Sequence, residues 1–320
     1  MRVELFVLAA ASALLIGCGG PEAEDADSVS EAAAVAPDLP VSIVAERGGW
    51  IPEGIEYDAE RGRLLGGSLS EGTIYQLQAD GRLSAVVTDT ALVSSVGIEV
   101  DAPRDRLLVA NSDRGAFDGS SRGMAKLGAY DLATGSRLAM VDLAAADPDA
   151  PSDAMHFAND VVALPDGTAY VTNTMQNVIY RVTPDYQTSL FHRFPPTEGL
   201  GLNGIVYHAS GYLLVAGGSV LYKVPIADPS ATTAVALTEA VEGQDGMVWM
   251  SDGRLAIVSN SESRVVALTS GDEWRTAQLA GVAPFSGQGT TAAVVGNDVY
   301  VVYPHFADPE PPSVERVTFR

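Results

Sequence analysis

Cysteine is almost missing from this chain. Cys18 is the single one in 320 residues, so no disulfide can form and the fold must rest on packing. Basic residues are scarce too, with 19 Lys and Arg against 41 Asp and Glu and a formal net charge of −22. That balance argues against nucleic acid as a partner, because nucleic acid demands a basic surface. Only four histidines are present, which leaves zinc or copper short of its usual nitrogen and sulfur ligands. There is no Gly-rich phosphate loop, no Ser nucleophile elbow and no Cys-x-x-Cys pair. Nucleotide and serine-esterase chemistry therefore lack support. Beyond the N-terminal segment, no stretch shows a long amphipathic helical period.

What is present is a repeat. Four segments place an oxygen-bearing side chain at the mouth of an apolar strand: Glu53-Gly54-Ile55-Glu56-Tyr57, Asn159-Asp160-Val161-Val162, Asn203-Gly204-Ile205-Val206-Tyr207 and Asp245-Gly246-Met247-Val248-Trp249. Two more keep the scaffold without the oxygen, Val96-Gly97-Ile98-Glu99-Val100 and Gly289-Thr290-Thr291-Ala292-Ala293. Starts at 54, 97, 160, 204, 246 and 290 give spacings of 43, 63, 44, 42 and 44 residues. A period of this length filled with short strands is the mark of β-propeller blades. Asp166-Gly167, Ser210-Gly211 and Asp252-Gly253 supply the turns between first and second strands.

The ends of the chain complete the count. The segment at 41–45 has the character of an outer strand, and the one at 314–319 looks like a third strand with nothing after it. We therefore expect an all-β, six-bladed propeller over residues 41–320, its last blade closed by the N-terminal strand, which removes the exposed edges. The long second interval requires an insertion. Residues 112–126 and 144–154 read as loops, either surface ornament or contacts for a ligand.

Before the propeller, Arg2 and an apolar run from Leu5 to Ile16 lead into Leu15-Ile16-Gly17-Cys18. This matches the lipobox of bacterial lipoprotein signal peptides, and the run is too short to span a bilayer. The expectation is a signal peptide over residues 1–17, lipid attachment at Cys18 and a disordered acidic tether over 18–40. Gly19 resembles outer-membrane sorting, which would place an exported lipoprotein at the outer membrane facing the periplasm. Contact with the membrane would be through the lipid alone.

In a propeller the innermost strands face the axis. Glu53, Asn159, Asn203 and Asp245 would converge there as two carboxylates and two amide oxygens. Such a hard oxygen set of charge −2 suits a divalent cation, and calcium accepts it with water completing its shell. Turn chemistry would explain Asn203-Gly204 or Asp245-Gly246 singly, though not the recurrence of oxygen at one register. Glu56 and Glu99, two positions after their strand starts, are expected to point outward or into polar packing. Tyr57 and Trp249 are expected to fill space between blades.

The openings Glu53-Gly54-Ile55, Phe157-Ala158-Asn159-Asp160, Leu202-Asn203-Gly204 and Gln244-Asp245-Gly246 together resemble the senescence marker protein/gluconolactonase family. The resemblance implies a six-bladed propeller with a divalent metal, often calcium, in its channel. It also implies Glu53, Asn203 and Asp245 as metal ligands, Asn159 beside both metal and substrate, and Asp245 as general base. Lactonases of that family commonly carry an Arg two residues before the equivalent of Asn159, where this chain has Phe157. Loss of that guanidinium points away from a polyhydroxylated sugar lactone. His156 is three residues before Asn159, but a His at a loop edge is more often a surface residue.

The expected function is a metal-dependent hydrolase of a small lactone or simple ester, with Asp245 and Asn159 catalytic. The alternatives are a tethered propeller that binds a ligand or protein without catalysis, and a metal that serves purely as a structural plug.

Overall fold

The computed structural model describes residues 39–196, 199–307 and 310–320. The expected signal segment, Cys18 and the tether up to residue 38 lie outside the described residues. Among those described, no helix is long and apolar enough to cross a membrane.

Six sheets follow one another along the chain, each with four antiparallel strands running from an inner to an outer edge; two of them carry a fifth, parallel strand, and the last takes its outer strand from Ser42–Val44. Blade 1 comprises Ile55–Asp58, Arg63–Gly66, Ile74–Leu77 and Leu83–Val87. Blade 2 comprises Ser94–Asp101, Arg106–Ser112, Lys126–Asp131 and Arg137–Asp142. Blades 3, 4 and 5 begin with the inner strands His156–Ala163, Leu202–His208 and Gln244–Trp249. Blade 6 supplies Ala292–Val295, Asp298–Tyr303 and Ser313–Val317, and Ser42–Val44 pairs antiparallel with the last of these. The expected six-bladed propeller and its N-terminal closing strand are therefore present.

The local reasons are those of short β-rich segments broken by glycine turns. Gly167, Gly211 and Gly253 adopt φ of 89°, 86° and 85°, as a tight connection between first and second strands requires. Burial is carried by clusters that span neighbouring blades. Ile43 and Val314 of blade 6 meet Trp50, Ile55 and Leu64 of blade 1 in one of them. Tyr57 packs against that cluster, and Trp249 against the one shared by blades 4 and 5.

Ion pairs add a second kind of tie between blades. Arg63 pairs with Asp58 at 2.9 Å and donates onward to the Leu132 carbonyl of blade 2. Arg106 repeats the device one blade later, with Asp101 at 2.7 Å and the Gly167 carbonyl of blade 3. Both carboxylates are buried, so each arginine compensates a charge that would be costly to leave alone.

The long interval in blade 2 divides into two segments. Residues 113–125 leave the second strand, form a 3-10 turn at Arg114–Ala116, and return through Gly123–Met124, which pairs parallel with His156–Phe157 of blade 3. Residues 143–155 connect blade 2 to blade 3 and contain the 3-10 turn Ala144–Ala146.

Candidate functional site

The inner strands explain how side chains reach the axis. In blades 2 to 5 the ladder between first and second strands shifts register once: between Ser95 and Ile98, Ala158 and Val161, Leu202 and Ile205, and Gln244 and Met247. Each shift is a bulge, with one more residue on the inner strand than on its partner. The bulged residues include Asn159, Asn203 and Asp245. Blade 1 makes the same step, because Gly67 donates to the Gly54 carbonyl while Leu69 donates to that of Ile51. Glu53 lies inside that step.

The residue after each bulge position is glycine in four blades, and packing gives the reason. A Cβ on Gly54 would meet the Val96 carbonyl at 2.3 Å, and one on Gly97 would meet Asp160 Oδ1 at 2.4 Å. One on Gly204 would meet the Asp245 carbonyl at 2.5 Å, and one on Gly246 would meet Thr291 Oγ1 at 2.0 Å. Successive inner strands thus touch backbone to backbone, which brings the side chains one residue earlier close together. Blade 3 has Asp160 at the glycine position, and its carboxylate accepts the N–H groups of Ile205 (3.0 Å) and Val161 (2.9 Å).

Glu53, Asn159, Asn203 and Asp245 line one cavity of about 480 Å³ at the mouth of the channel. The four residues predicted as metal ligands are therefore brought together. Blade 2 contributes none, because Val96 is fully buried in the apolar core. Blade 6 corrects the expected register by one residue. Ala292 faces Val301 as Ile55 faces Gly66, so Thr290, not Gly289, is the equivalent of Glu53. Thr290 lines the cavity and donates through Oγ1 to the Glu53 carbonyl at 2.8 Å. Blade 6 thus carries an oxygen that had been counted as missing.

Supporting contacts fix these groups. Thr172 and Thr174 donate to the carbonyls of Asn203 and Leu202, both at 2.7 Å. Asn260 donates to Asp245 Oδ2 at 3.3 Å and to the Gly289 carbonyl at 2.7 Å. The other oxygen, Asp245 Oδ1, is buried and meets hydrogen-bonding geometry with no group among the described residues. Burial pushes Asp245 up to about 8, with the Asp160 charge adding to it and the amides of Asn203 and Asn260 opposing it. Glu53 is pushed well above the ordinary carboxylate range by burial, then by the charges of Asp245 and Asp160.

Below this ring the channel narrows to a space of about 280 Å³, lined in part by Glu56, Glu99 and Asp160. Of the two placements expected for Glu56 and Glu99, outward or into polar packing, the structure has the second, since both line the channel beside Asp160. The bulge one turn earlier shifts which alternate residues point to the axis. Burial raises Glu56 and Asp160 to about 7 each and Glu99 well above its usual value. Glu53, Glu56, Glu99 and Asp160 thus share this narrower space, whose lining residues include no Lys or Arg.

A divalent cation fits the donor set at the mouth. Among the described residues no group of three or more His, Cys, Asp or Glu side chains could hold a metal, so the site depends on the amides of Asn159 and Asn203. An unbonded buried carboxylate oxygen beside a second carboxylate is the arrangement that a hard cation satisfies. His156 takes no part: it is half-buried, its Nδ1 lies 3.1 Å from the Asn173 amide, and it does not line the cavity.

Other contributors were missed from sequence. The blade 2 insertion supplies Arg114, Phe117 and Asp118, and separate loops supply Leu200, Asn260 and Phe306. Phe157 is buried and meets Phe117 edge to face at 4.6 Å between ring centres. The position where a guanidinium was expected thus anchors the insertion over the mouth.

No known family model matches the chain, and no curated protein matches it in sequence. Solved structures do. The allergen Mala s 1 of Malassezia sympodialis superposes with a TM-score of 0.74 at 18% identity, covering 88% of this chain and 96% of that one. A luciferin-regenerating enzyme gives 0.62 at 14% identity, over 87% and 95%. A gluconolactonase from Xanthomonas campestris gives 0.60 at 16% identity, over 89% and 97%. At these identities the likeness establishes the propeller fold, which all three share with this chain.

Proposed function

We propose that this protein is a hydrolase of a lactone or simple ester that depends on a divalent metal, with calcium as the cation, and that it works in the cavity at the channel mouth. The observation that carries the reading is Asp245. It lies on the floor of the open-mouthed cavity with one oxygen unbonded, in a lining shared with Glu53, Asn159 and Asn203. The gluconolactonase among its structural neighbours supports the same reaction class.

In this reading Glu53, Asn203, Asp245 and Asn159 hold the cation. When bound, it would polarise the carbonyl and stabilise the oxyanion that develops on it. Asp245 accepts a proton from the attacking water. Without the cation, burial pushes this carboxyl up to about 8; the cation's charge would lower it and keep Asp245 ionised at neutral pH, as a base must be. Asn260 orients Asp245 through Oδ2, which leaves Oδ1 for the floor. Asn159, which lines the same cavity, positions substrate or water through its amide. On the sequence of residues 1–19 we further place the enzyme outside the cytoplasm, lipid-anchored at Cys18.

The test uses protein stripped of metal, assayed on a panel of lactones and aryl esters with calcium and with EDTA. Turnover restored by calcium and lost in EDTA is expected. Calcium binding without hydrolysis of any ester would overturn the enzyme and leave a binding propeller with a structural metal.

A further inference from the structure

The rim of the cavity carries chemistry that the floor does not. Seven large apolar side chains are exposed among the described residues, and three of them, Phe117, Leu200 and Phe306, stand around this one opening. They come from blade 2, from the connection into blade 4 and from blade 6, so no local sequence reason gathers them. Exposed apolar groups that converge on a cavity mark the surface a ligand covers.

Beside them is Arg114. Eleven other arginines among the described residues pair with a carboxylate. Arg114 has no side-chain hydrogen bond or ion pair within the described residues, although acids outnumber bases two to one in this chain. It is held in place all the same. Its N–H donates to Ser94 Oγ at 3.3 Å, and Asp113 caps the turn by accepting the Gly115 N–H at 2.9 Å. Asp118 shares the wall and accepts the Ser120 N–H at 2.9 Å; its carboxyl is held below the ordinary value by the Ser120 hydrogen bonds and, less, by the Arg114 charge, but the two side chains form no direct ion pair.

We propose that the cavity takes an apolar acyl compound with a carboxylate at its far end, that Arg114 holds this carboxylate at the rim, and that Phe117, Leu200 and Phe306 enclose the apolar body. The floor sets the orientation. With the cation bound, Glu53 and Asp245 are neutralised by it, and Arg114 is the one Lys or Arg side chain among the cavity's lining residues, so a ligand that offers its ester to the floor finds a partner for a distal carboxylate at the rim. A guanidinium suits a planar carboxylate, to which it can donate two parallel hydrogen bonds. The guanidinium absent from the position of Phe157 is thereby supplied from another blade, at the outer edge of the cavity instead of beside Asn159. This assignment rests on the proposed hydrolase only in naming an ester or lactone as the group that meets the floor.

Binding can be measured without turnover. N-Phenyladipamic acid carries a ring, an amide that resists hydrolysis and a distal carboxylate, and N-phenyladipamide replaces that carboxylate with a neutral amide. Calorimetry on the full chain in calcium is expected to show the acid bound about tenfold more tightly than the amide, as a charge-assisted pair at a partly exposed site allows. Arg114→Gln should remove the preference and Arg114→Lys should keep part of it. Phe117→Ala should weaken acid and amide alike. Equal binding of the two by the wild type, a preference that survives Arg114→Gln, or no binding of either would each overturn the proposal. Acid binding that depends on Arg114, in a protein that hydrolyses no ester, would sink the hydrolase and leave this ligand class standing.

Discussion

The floor and the rim of the cavity are built on opposite plans. The floor comes from one position repeated around the ring, on bulged inner strands that touch backbone to backbone, and its groups are carboxylates and amides whose placement is fixed by glycines. The rim comes from loops of different length and origin, and it offers rings, an aliphatic chain and one unpaired cation. A repeated element can fix a set of ligands to within the tolerance of chemistry, because any one of them is braced by the next blade. A loop can change its side chain without disturbing that brace. In the proposed hydrolase, reaction and recognition would thus be separated by architecture: the floor would decide what happens to a bond, the rim whose bond it is.

The largest effect is expected where the floor loses its base. Asp245→Asn should lower kcat by roughly 10²–10⁴-fold on any ester that the wild type turns over, and steady-state assays at saturating substrate will show it. Wild-type turnover in this variant would remove Asp245 from the mechanism. Next comes the brace. Gly97→Val drives a Cβ into Asp160 and the Asn159 carbonyl, and should cost roughly 1–3 kcal/mol or more of stability in thermal or urea unfolding. An unchanged melting point would mean that the blades are not held by this contact.

Charge sharpens the contrast further. Asp245 is raised to about 8, and Glu56 and Asp160 to about 7. A carboxyl whose folded pKa is raised binds more protons in the folded than in the unfolded chain, between its ordinary value and its raised one. Metal-free protein should therefore lose stability as pH rises from about 4 to about 8, the reverse of a salt-bridged carboxylate. Calcium competes with those protons, so its increase in melting temperature should be greater at pH 8.5 than at pH 5. Scanning calorimetry at both values decides it, and a calcium shift that shrinks with pH would contradict the site.

Smaller effects belong to the supports. Asn260→Ala removes a donor that favours ionised Asp245, so kcat should fall by about tenfold and the acid limb of its pH profile should move up. A limb that stays in place would make Asn260 a loop residue only. At the rim, Phe117→Ala should raise KM a few-fold with kcat unchanged, since it removes binding shared by ground and transition states.

The same division governs what could be read from the amino-acid order. Six blades and their closure were legible because strand, turn and period each leave a local mark, and Glu53, Asn159, Asn203 and Asp245 shared one register. Blade 6 was misread by a residue because Gly289 stands where the other blades' pattern invites a glycine frame. That glycine serves a different need, since its Cβ would lie 2.7 Å from Val301 Cγ1. Which of two placements Glu56 and Glu99 would take was not legible, because a bulge reverses the alternation of every residue after it, and a bulge leaves no signature in composition. Arg114, Leu200 and Phe306 share no spacing at all. Their meeting is a property of the closed ring, and nothing short of the ring reveals it.

The clasp of blade 6 has a consequence in time. Ser42–Val44 is made before the other strands of the ring, yet its partner Ser313–Val317 follows all of them. Until then blade 1 has no neighbour on one side, the floor lacks Thr290, and the carboxyls of the axis have no enclosure to raise them. The circle therefore stays open until residues 313–317 have been made, and the cavity takes its final shape only when these two segments meet.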